Sequence, residues 1–370
     1  MGSGLFRSSI ADLIPYEPGK PIEEVQRELG LERVVKLASN EGPFPPFPRA
    51  VAAIERATRE LNRYPDGGVY ALRTALAERH GVAFDEIVVA GGADGVIDLL
   101  SQAVLDEGDE IVTGWPSFPS YVIDAAKLGA VAKRVPLRAH TFDLDALLAA
   151  VTARTKLVYV CHPNNPTGTA NSREELDRFF DSVPEHVLVV LDQAYFEYID
   201  DPDYVDGLDY FRQGKRVVVL RTFSKIYGLA GLRVGYGVAP ADVVAATSKV
   251  RRAFDVTATA QVAALASMGD DTACARELAR RRAANAAGRA QLESILREHG
   301  LEPVPSRGNF VYVEVGDGRA LFDQLLRQGV IVRPLAGFGA PEAIRVSVGT
   351  EEENLVFRTA LGQVLSGVSS

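Results

Sequence analysis

The 370 residues are enough for two domains, or for one large domain with a satellite, and 47% hydrophobic with 24% charged residues is the balance of a soluble globular protein. A formal net charge of −9 argues against nucleic acid or an anionic membrane as the main partner, but leaves room for a small anion held by local arginines. Two cysteines, Cys161 and Cys274, make neither a disulfide framework nor a metal cluster. The five histidines lack metal-binding spacing, so no metal site is expected. The start Met1-Gly-Ser-Gly-Leu-Phe6 has no leader pattern and no apolar run is long enough to span a bilayer, so the expected location is cytoplasmic.

Residues 1–45 carry two proline-rich turn clusters, Pro15-Tyr-Glu-Pro-Gly19 and Ser39-Asn-Glu-Gly-Pro-Phe-Pro-Pro46, around one short amphipathic helix at Ile22–Leu29. They read as an arm without a core of its own. Residues 48–80 read as helical with a break at Tyr64-Pro-Asp-Gly-Gly68. Strands and helices then alternate. Strands are expected at 86–90, 110–113, 131–135, 156–161, 187–191 and 216–220, and helices at 96–104, 120–128 and 172–181. This alternation predicts an α/β fold with a mostly parallel sheet covered by helices, whose ligands bind at loops beyond the strand C-termini. From about 240 the pattern becomes that of a smaller α+β unit. A helix is expected over 276–298, strands at 310–315, 330–333 and 344–348, a helix at 319–328 and a last helix from Glu351.

The residues with chemical potential fall on those loops. After Arg216-Val-Val-Val-Leu220 come two hydroxyls, Thr222 and Ser224, then Lys225, then glycines at 228, 231, 235 and 237 with Arg233 among them. A lysine flanked by hydroxyls and a guanidinium suits a phosphate-bearing carbonyl cofactor: the amine forms a Schiff base and the others hold the phosphate. A surface Lys and Arg on an ordinary loop is the plainer reading. Asp192, ending Val187-Leu-Val-Val-Leu191, either pairs with a protonated ring nitrogen or caps the next helix. Cys161-His-Pro-Asn-Asn-Pro-Thr-Gly168 is a rigid loop presenting the Asn165 amide, and with the Tyr195 hydroxyl it is suited to a ring oxygen. Ala93 and Asp94 sit where a Gly91-Gly92 turn opens a helix, a ready anion site. Phe118 follows another strand and is either packed or stacked on a flat ring. Arg345 interrupts the apolar run Ile344-Arg-Val-Ser-Val-Gly349, and Arg333 ends Val330-Ile-Val-Arg333. Each calls for an anionic partner, from the protein or from a substrate.

In this order the motifs resemble the fold-type I pyridoxal-phosphate aminotransferases, and within them the histidinol-phosphate aminotransferase family. The likeness runs from Pro15-Tyr-Glu-Pro-Gly-Lys-Pro21 through Lys36-Leu-Ala-Ser-Asn-Glu41, Arg63-Tyr-Pro-Asp66 and Gly92-Ala-Asp94. It continues through Pro163-Asn-Asn-Pro-Thr-Gly168, Asp192-Gln-Ala-Tyr195, Ser224-Lys225, Gly228-Leu-Ala-Gly-Leu-Arg233 and Ile344-Arg-Val-Ser-Val-Gly-Thr350. The resemblance implies a large domain over 46–250 that binds pyridoxal 5'-phosphate. It also implies a small C-terminal domain over 251–370, with the arm of residues 1–45 packing on it. It implies that Lys225 carries the cofactor and shuttles the Cα proton, that Asp192 binds the pyridinium nitrogen, and that Asn165 and Tyr195 bind the ring hydroxyl. Phe118 would stack on the ring, while Ala93, Asp94, Thr222, Ser224 and Arg233 hold the phosphate. Tyr64 would reach that phosphate across the interface of an obligate homodimer with shared sites. Arg345 would take the substrate carboxylate or phosphate, with Arg333 and Tyr16 near the substrate tail and Asn40 on the arm.

The activity implied is transamination between a small amino donor and a 2-oxo acid, histidinol phosphate and 2-oxoglutarate being the leading pair in histidine biosynthesis. An aromatic amino acid aminotransferase acting on phenylalanine or tyrosine, and a phosphothreonine-type decarboxylase, are alternatives on the same scaffold. The sequence departs from the family pattern at Gly42-Pro-Phe-Pro-Pro46, His162, Gln193 and Arg252-Ala-Phe-Asp-Val256. An anionic Asp255 beside the substrate would disfavour a phosphorylated tail; paired with Arg251 or Arg252 it would have no such effect.

Overall fold

β-Branched runs that alternate with amphipathic segments bury both faces of a sheet only when helices cover it. The computed structural model, which describes residues 6–11, 13, 19–269 and 272–367, has that arrangement. The strands in chain order are β1 Val35–Lys36, β2 Ile87–Ala90, β3 Glu110–Trp115, β4 Val131–Pro136 and β5 Thr155–Cys161. Then come β6 Leu188–Asp192, β7 Val217–Thr222, β8 Gly235–Val238, β9 Pro303–Val304 and β10 Phe310–Glu314. The last three are β11 Val330–Ile331, β12 Arg333–Pro334 and β13 Ala343–Ser347.

Seven of them form one sheet in the order β2-β8-β7-β6-β5-β3-β4. Only β8 runs against its neighbours, so the other six strands all end on one edge. Val189, Val190 and Leu191 of β6 and Val217, Val218 and Val219 of β7 are buried at the centre. Each such side chain contributes roughly 1.5–3 kcal/mol on removal from water.

Three expectations are corrected. The glycine-rich stretch after Lys225 contains a strand, β8 Gly235–Val238, that is not among the expected strands. Glycine lets it lie close: a Cβ at Gly237 would sit 3.1 Å from Val88 and 3.2 Å from Val218. The helix expected from Val96 begins at Ala93, directly after Gly92, whose φ of 91° makes the turn and opens the helix three residues early. The apolar run 330–333 is split, since β11 pairs parallel with β1 while β12 pairs antiparallel with β13.

Local signals mark the ends of three other helices. Ser172 and Glu175 form a capping box on Arg173–Ser182, and Thr350 and Glu353 do the same on Glu351–Leu365. Ile22–Leu29 stops at Gly30, whose φ is 67°.

A second core gathers Val25, Leu37, Val311, Phe322, Val346 and Phe357 around β10 and β13. The two hydrophobic clusters exchange within the long helix Thr272–Glu298: Cys274 belongs to the first, and Leu292, Ile295 and Leu296 to the second. The helix Ala258–Ser267 contributes Ala260, Ala263 and Ala264 to the first. The segment after β1 joins the second core by backbone bonds, Leu37 N–H to the Ile331 carbonyl (2.7 Å) and Ser347 N–H to the Leu37 carbonyl (2.9 Å).

His162, directly after β5, is fully buried and held neutral, its pKa lowered to about 4 chiefly by burial. An unfolded chain takes up that proton near the ordinary value of 6.5, so stability falls as pH drops from 6.5 towards 4, by roughly 3 kcal/mol at most for this residue. Urea unfolding at several pH values should therefore show a shallower acid loss in His162→Asn. An identical slope in the two proteins would remove His162 from the account.

Candidate active site

Because six strands end on one edge, the loops after β2, β3, β5, β6 and β7 converge there. They enclose a cavity of about 380 Å³ lined by Lys225, Asp192, Asn165, Tyr195, Phe118 and Arg345, among others. Ala93, Asp94, Asn40, Thr222, Ser224 and Arg233 line it as well. Twelve side chains singled out in the sequence thus meet in one place.

Lys225 follows β7 by three residues and lies at the cavity wall, its Nζ 3.4 Å from the Ser39 carbonyl and 5.6 Å from the Tyr195 ring centre. Burial, then the positive charges of Arg345 and Arg233, lower its pKa to about 8, against the opposing pull of Glu41 and Asp192. Compared with an ordinary lysine, a far larger share of the amine is therefore neutral and nucleophilic near neutral pH, reaching half near pH 8. Asp192 ends β6 and is 4% exposed. Its carboxylate accepts from the Tyr121 hydroxyl (2.6 Å) and the Ala194 amide (3.0 Å), both neutral donors. Burial raises its pKa, and the Tyr121 bond opposes that rise. A buried carboxylate so placed favours a cationic group in the cavity.

At the other end stand donors for an anion. Arg233, in the left-handed region at φ 55°, bonds the Ser224 hydroxyl (3.3 Å) and the Gly91 carbonyl (3.2 Å). Thr222 Oγ accepts the Ser224 amide (3.1 Å), and the helix Ala93–Val104 points its N-terminus at the same spot. β8 closes this end from behind, since a Cβ at Gly235 would lie 2.4 Å from the Ala93 nitrogen and 2.5 Å from the Gly92 carbonyl carbon. Gly235→Ala is expected to push the turn out of place, costing roughly 1–3 kcal/mol of stability and weakening any anion held there. Thermal unfolding with and without inorganic phosphate measures both; equal melting curves for the two proteins would contradict the close packing.

The third wall is a polar network. Asn40, buried with φ 54°, donates from Nδ2 to the Tyr195 hydroxyl (2.9 Å), and its Oδ1 accepts from the Ser347 hydroxyl (2.9 Å). Burial raises the Tyr195 pKa, so its hydroxyl keeps a proton to donate. Arg345, 3% exposed, donates to Asn165 Oδ1 and to the Ala38 carbonyl (2.7 Å). That bond fixes the Asn165 amide with its NH₂ available as a donor.

Two candidates, Arg333 and Tyr64, do not line this cavity. Arg333 lines a separate, larger cavity of about 760 Å³. Phe338 divides the two, with the Arg333 guanidinium 5.4 Å and the Arg345 guanidinium 5.3 Å from its ring. Tyr64 is 81% exposed and stacks on Phe254 at 4.5 Å, away from Lys225 in this single chain. Tyr16 lies outside the described residues. Asp255 is paired with Arg252 (2.8 Å) and lines a neighbouring cavity rather than the one with Lys225.

Sequence reasoning missed Tyr121, Phe338 and Ser347. Ser347 was legible, being two residues from Arg345 on one strand and so on the same face. Tyr121 had a fainter signal, a tyrosine in the first turn of a helix three residues after Phe118. Phe338 comes from a short turn with no pattern of its own.

The profile of the family described as aminotransferase class I and II matches residues 32–361. A histidinol-phosphate aminotransferase of Moorella thermoacetica is 45% identical over 362 residues, 97% of this chain and 93% of that protein. One from Akkermansia muciniphila is 48% identical over 360 residues, 96% of this chain and 97% of that protein. Among solved structures, histidinol-phosphate aminotransferase from Sinorhizobium meliloti in complex with pyridoxal-5'-phosphate superimposes with a TM-score of 0.89 at 29% identity, covering 99% of each chain. Aspartate aminotransferase from Thermus thermophilus with maleate gives 0.86 at 26% identity, covering 98% of this chain and 99% of that one.

Proposed function

The chain belongs to the class I and II aminotransferases, and from that premise we propose that it is a pyridoxal-phosphate-dependent enzyme of histidine biosynthesis that converts histidinol phosphate and 2-oxoglutarate to imidazole acetol phosphate and glutamate. Its fold is that of the fold-type I aminotransferases. The observation that carries the activity is the placing of Lys225 and Asp192 on one cavity, with Arg233 and Arg345 among its other walls. The substrate rests on the 45–48% identity to histidinol-phosphate aminotransferases over nearly the whole chain.

The residues present fit the cofactor. Asp192 is a buried carboxylate with two neutral donors, suited to a ring N–H⁺. The Asn165 amide and Tyr195 hydroxyl are donors suited to the ring hydroxyl, and Phe118 is an aromatic face for the ring. The backbone N–H groups of Ala93 and Asp94, the hydroxyls of Thr222 and Ser224 and the Arg233 guanidinium line the same cavity and would donate to the phosphate. When bound, the cofactor supplies an electron sink for the bonds at the substrate Cα.

The chain's own groups do the rest. Lys225 would hold the cofactor through its amine and, as a neutral amine, would take the proton from the substrate Cα. Asp192 keeps the ring nitrogen protonated. Arg345, anchored on Asn165 and Ala38, binds the carboxylate or phosphate of each substrate in turn and orients the Cα–H bond towards Lys225.

We read the enzyme as a cytoplasmic homodimer in which exposed Tyr64 reaches the partner's phosphate site, with Arg333 near the substrate tail. Among the described residues no helix is long and apolar enough to cross a membrane. The division into arm, large and small units belongs to the same proposal, with the boundary moved from 250 into the helix Thr272–Glu298, where the two cores exchange. The pairing of Asp255 with Arg252 takes away the feature that favoured a substrate without phosphate.

Purified protein given pyridoxal phosphate, 2-oxoglutarate and histidinol phosphate should form glutamate, and faster than with phenylalanine as donor. Preference for phenylalanine would make it an aromatic aminotransferase. Carbon dioxide release from phosphothreonine without glutamate would make it a decarboxylase.

A further inference from the structure

Tyr121 does not line the cavity, yet it touches two residues that do. It opens the helix Ser120–Lys127 and is fully buried. Its hydroxyl donates to Asp192 Oδ2 at 2.6 Å. Its ring meets Phe118 edge-on, with centres 5.6 Å apart, and stacks on Tyr159 at 4.4 Å with 13° between the planes. The Tyr159 hydroxyl lies in turn 3.4 Å from that of Ser101. The Tyr121 ring is thus fixed on both sides, and its hydroxyl stays where a buried carboxylate needs a donor.

We propose that Tyr121 is a positioning residue that keeps Asp192 ionised and aimed into the cavity, and that through Asp192 it sets the charge on the ring nitrogen of the bound cofactor. This rests on the reading in which Asp192 faces that nitrogen. A carboxylate beside a pyridinium has two ways to share the proton. Donation from a neutral hydroxyl stabilises the carboxylate and so leaves the proton on the ring. Without the hydroxyl, Asp192 keeps only the Ala194 amide, and the proton shifts towards the carboxylate. The other titratable groups around Asp192 are Lys225, Asp94, Cys161 and Tyr195; of these only the buried Cys161 thiol also interacts with the Tyr121 hydroxyl, and an Asp192→Asn background keeps that contact and so separates it from the effect on the carboxylate.

The test is Tyr121→Phe, which keeps the stack on Tyr159 and deletes only the donor. Titration of apo protein with pyridoxal phosphate should show the dissociation constant raised roughly tenfold, the loss expected for a hydrogen bond to a charged group. The pH midpoint of the bound cofactor's visible absorbance should rise, because a less positive ring withdraws less charge from the nitrogen it shares with Lys225. In turnover, kcat should fall while KM for the amino donor holds within about twofold. In an Asp192→Asn background the same substitution should change neither the dissociation constant nor the midpoint, since the hydroxyl acts through the carboxylate.

A lowered melting temperature with unmoved midpoint and affinity would make Tyr121 a packing residue and end the proposal. Equal shifts with and without the Asp192 carboxylate would end it too. Wild-type protein that takes up no cofactor would instead overturn the functional reading beneath it.

Discussion

Lys225→Ala is expected to lower turnover by roughly four orders of magnitude, the upper range for losing a positioned proton-transfer group, with the covalent step lost besides. The cofactor should still bind, because Arg233, Ser224, Thr222 and the helix opening at Ala93 are untouched. Dialysis of the variant against buffer, with absorbance followed over time, separates the two effects: slow release without covalent capture, and no measurable glutamate. Turnover within tenfold of the wild type would sink the assignment of Lys225.

The same amine has a pH signature. With its pKa lowered to about 8, mainly by burial and then by Arg345, half of it is neutral near that pH. The rate at which apo protein captures pyridoxal phosphate should therefore climb through pH 8 and flatten above it. A lysine at its ordinary value of 10.5 would still be climbing there.

Arg345→Gln should raise KM for the anionic substrates about a hundredfold, in line with truncating one partner of a buried, hydrogen-bonded charge pair. Arg345 is 3% exposed, and it orients Asn165 and the Ala38 carbonyl as well as any anion in the cavity. It also stands second, after burial, among the causes that lower the Lys225 pKa. The variant should thus carry a second mark, a capture profile displaced to higher pH. Arg345→Lys should return part of the charge effect on Lys225 but little of the affinity, because an ammonium lacks the planar fork. An unchanged KM with an unchanged pH profile would remove Arg345 from both roles.

The sequence by itself determined the strand–helix alternation, and with it the edge on which ligands bind. Parallel strands buried on both faces read as continuous β-branched runs, as at 187–191 and 216–220, and their loops are where polar residues collect. Ten of the residues read at or beyond those strand ends line one cavity for that reason, joined there by Asn40 from the arm and Arg345 from β13. Only the tertiary structure decided how they are tuned. That Gly235–Val238 is a strand followed from packing against Val88 and Val218, a contact that no local propensity encodes. That Asp255 turns to Arg252, and that Phe338 separates Arg333 from Arg345, depended on how the elements packed. The Tyr121–Asp192 bond joins residues 71 apart in the chain. Spacing along a sequence carries the periodicity of single elements. It is silent on which buried donor meets which carboxylate, because that choice is made by packing between elements.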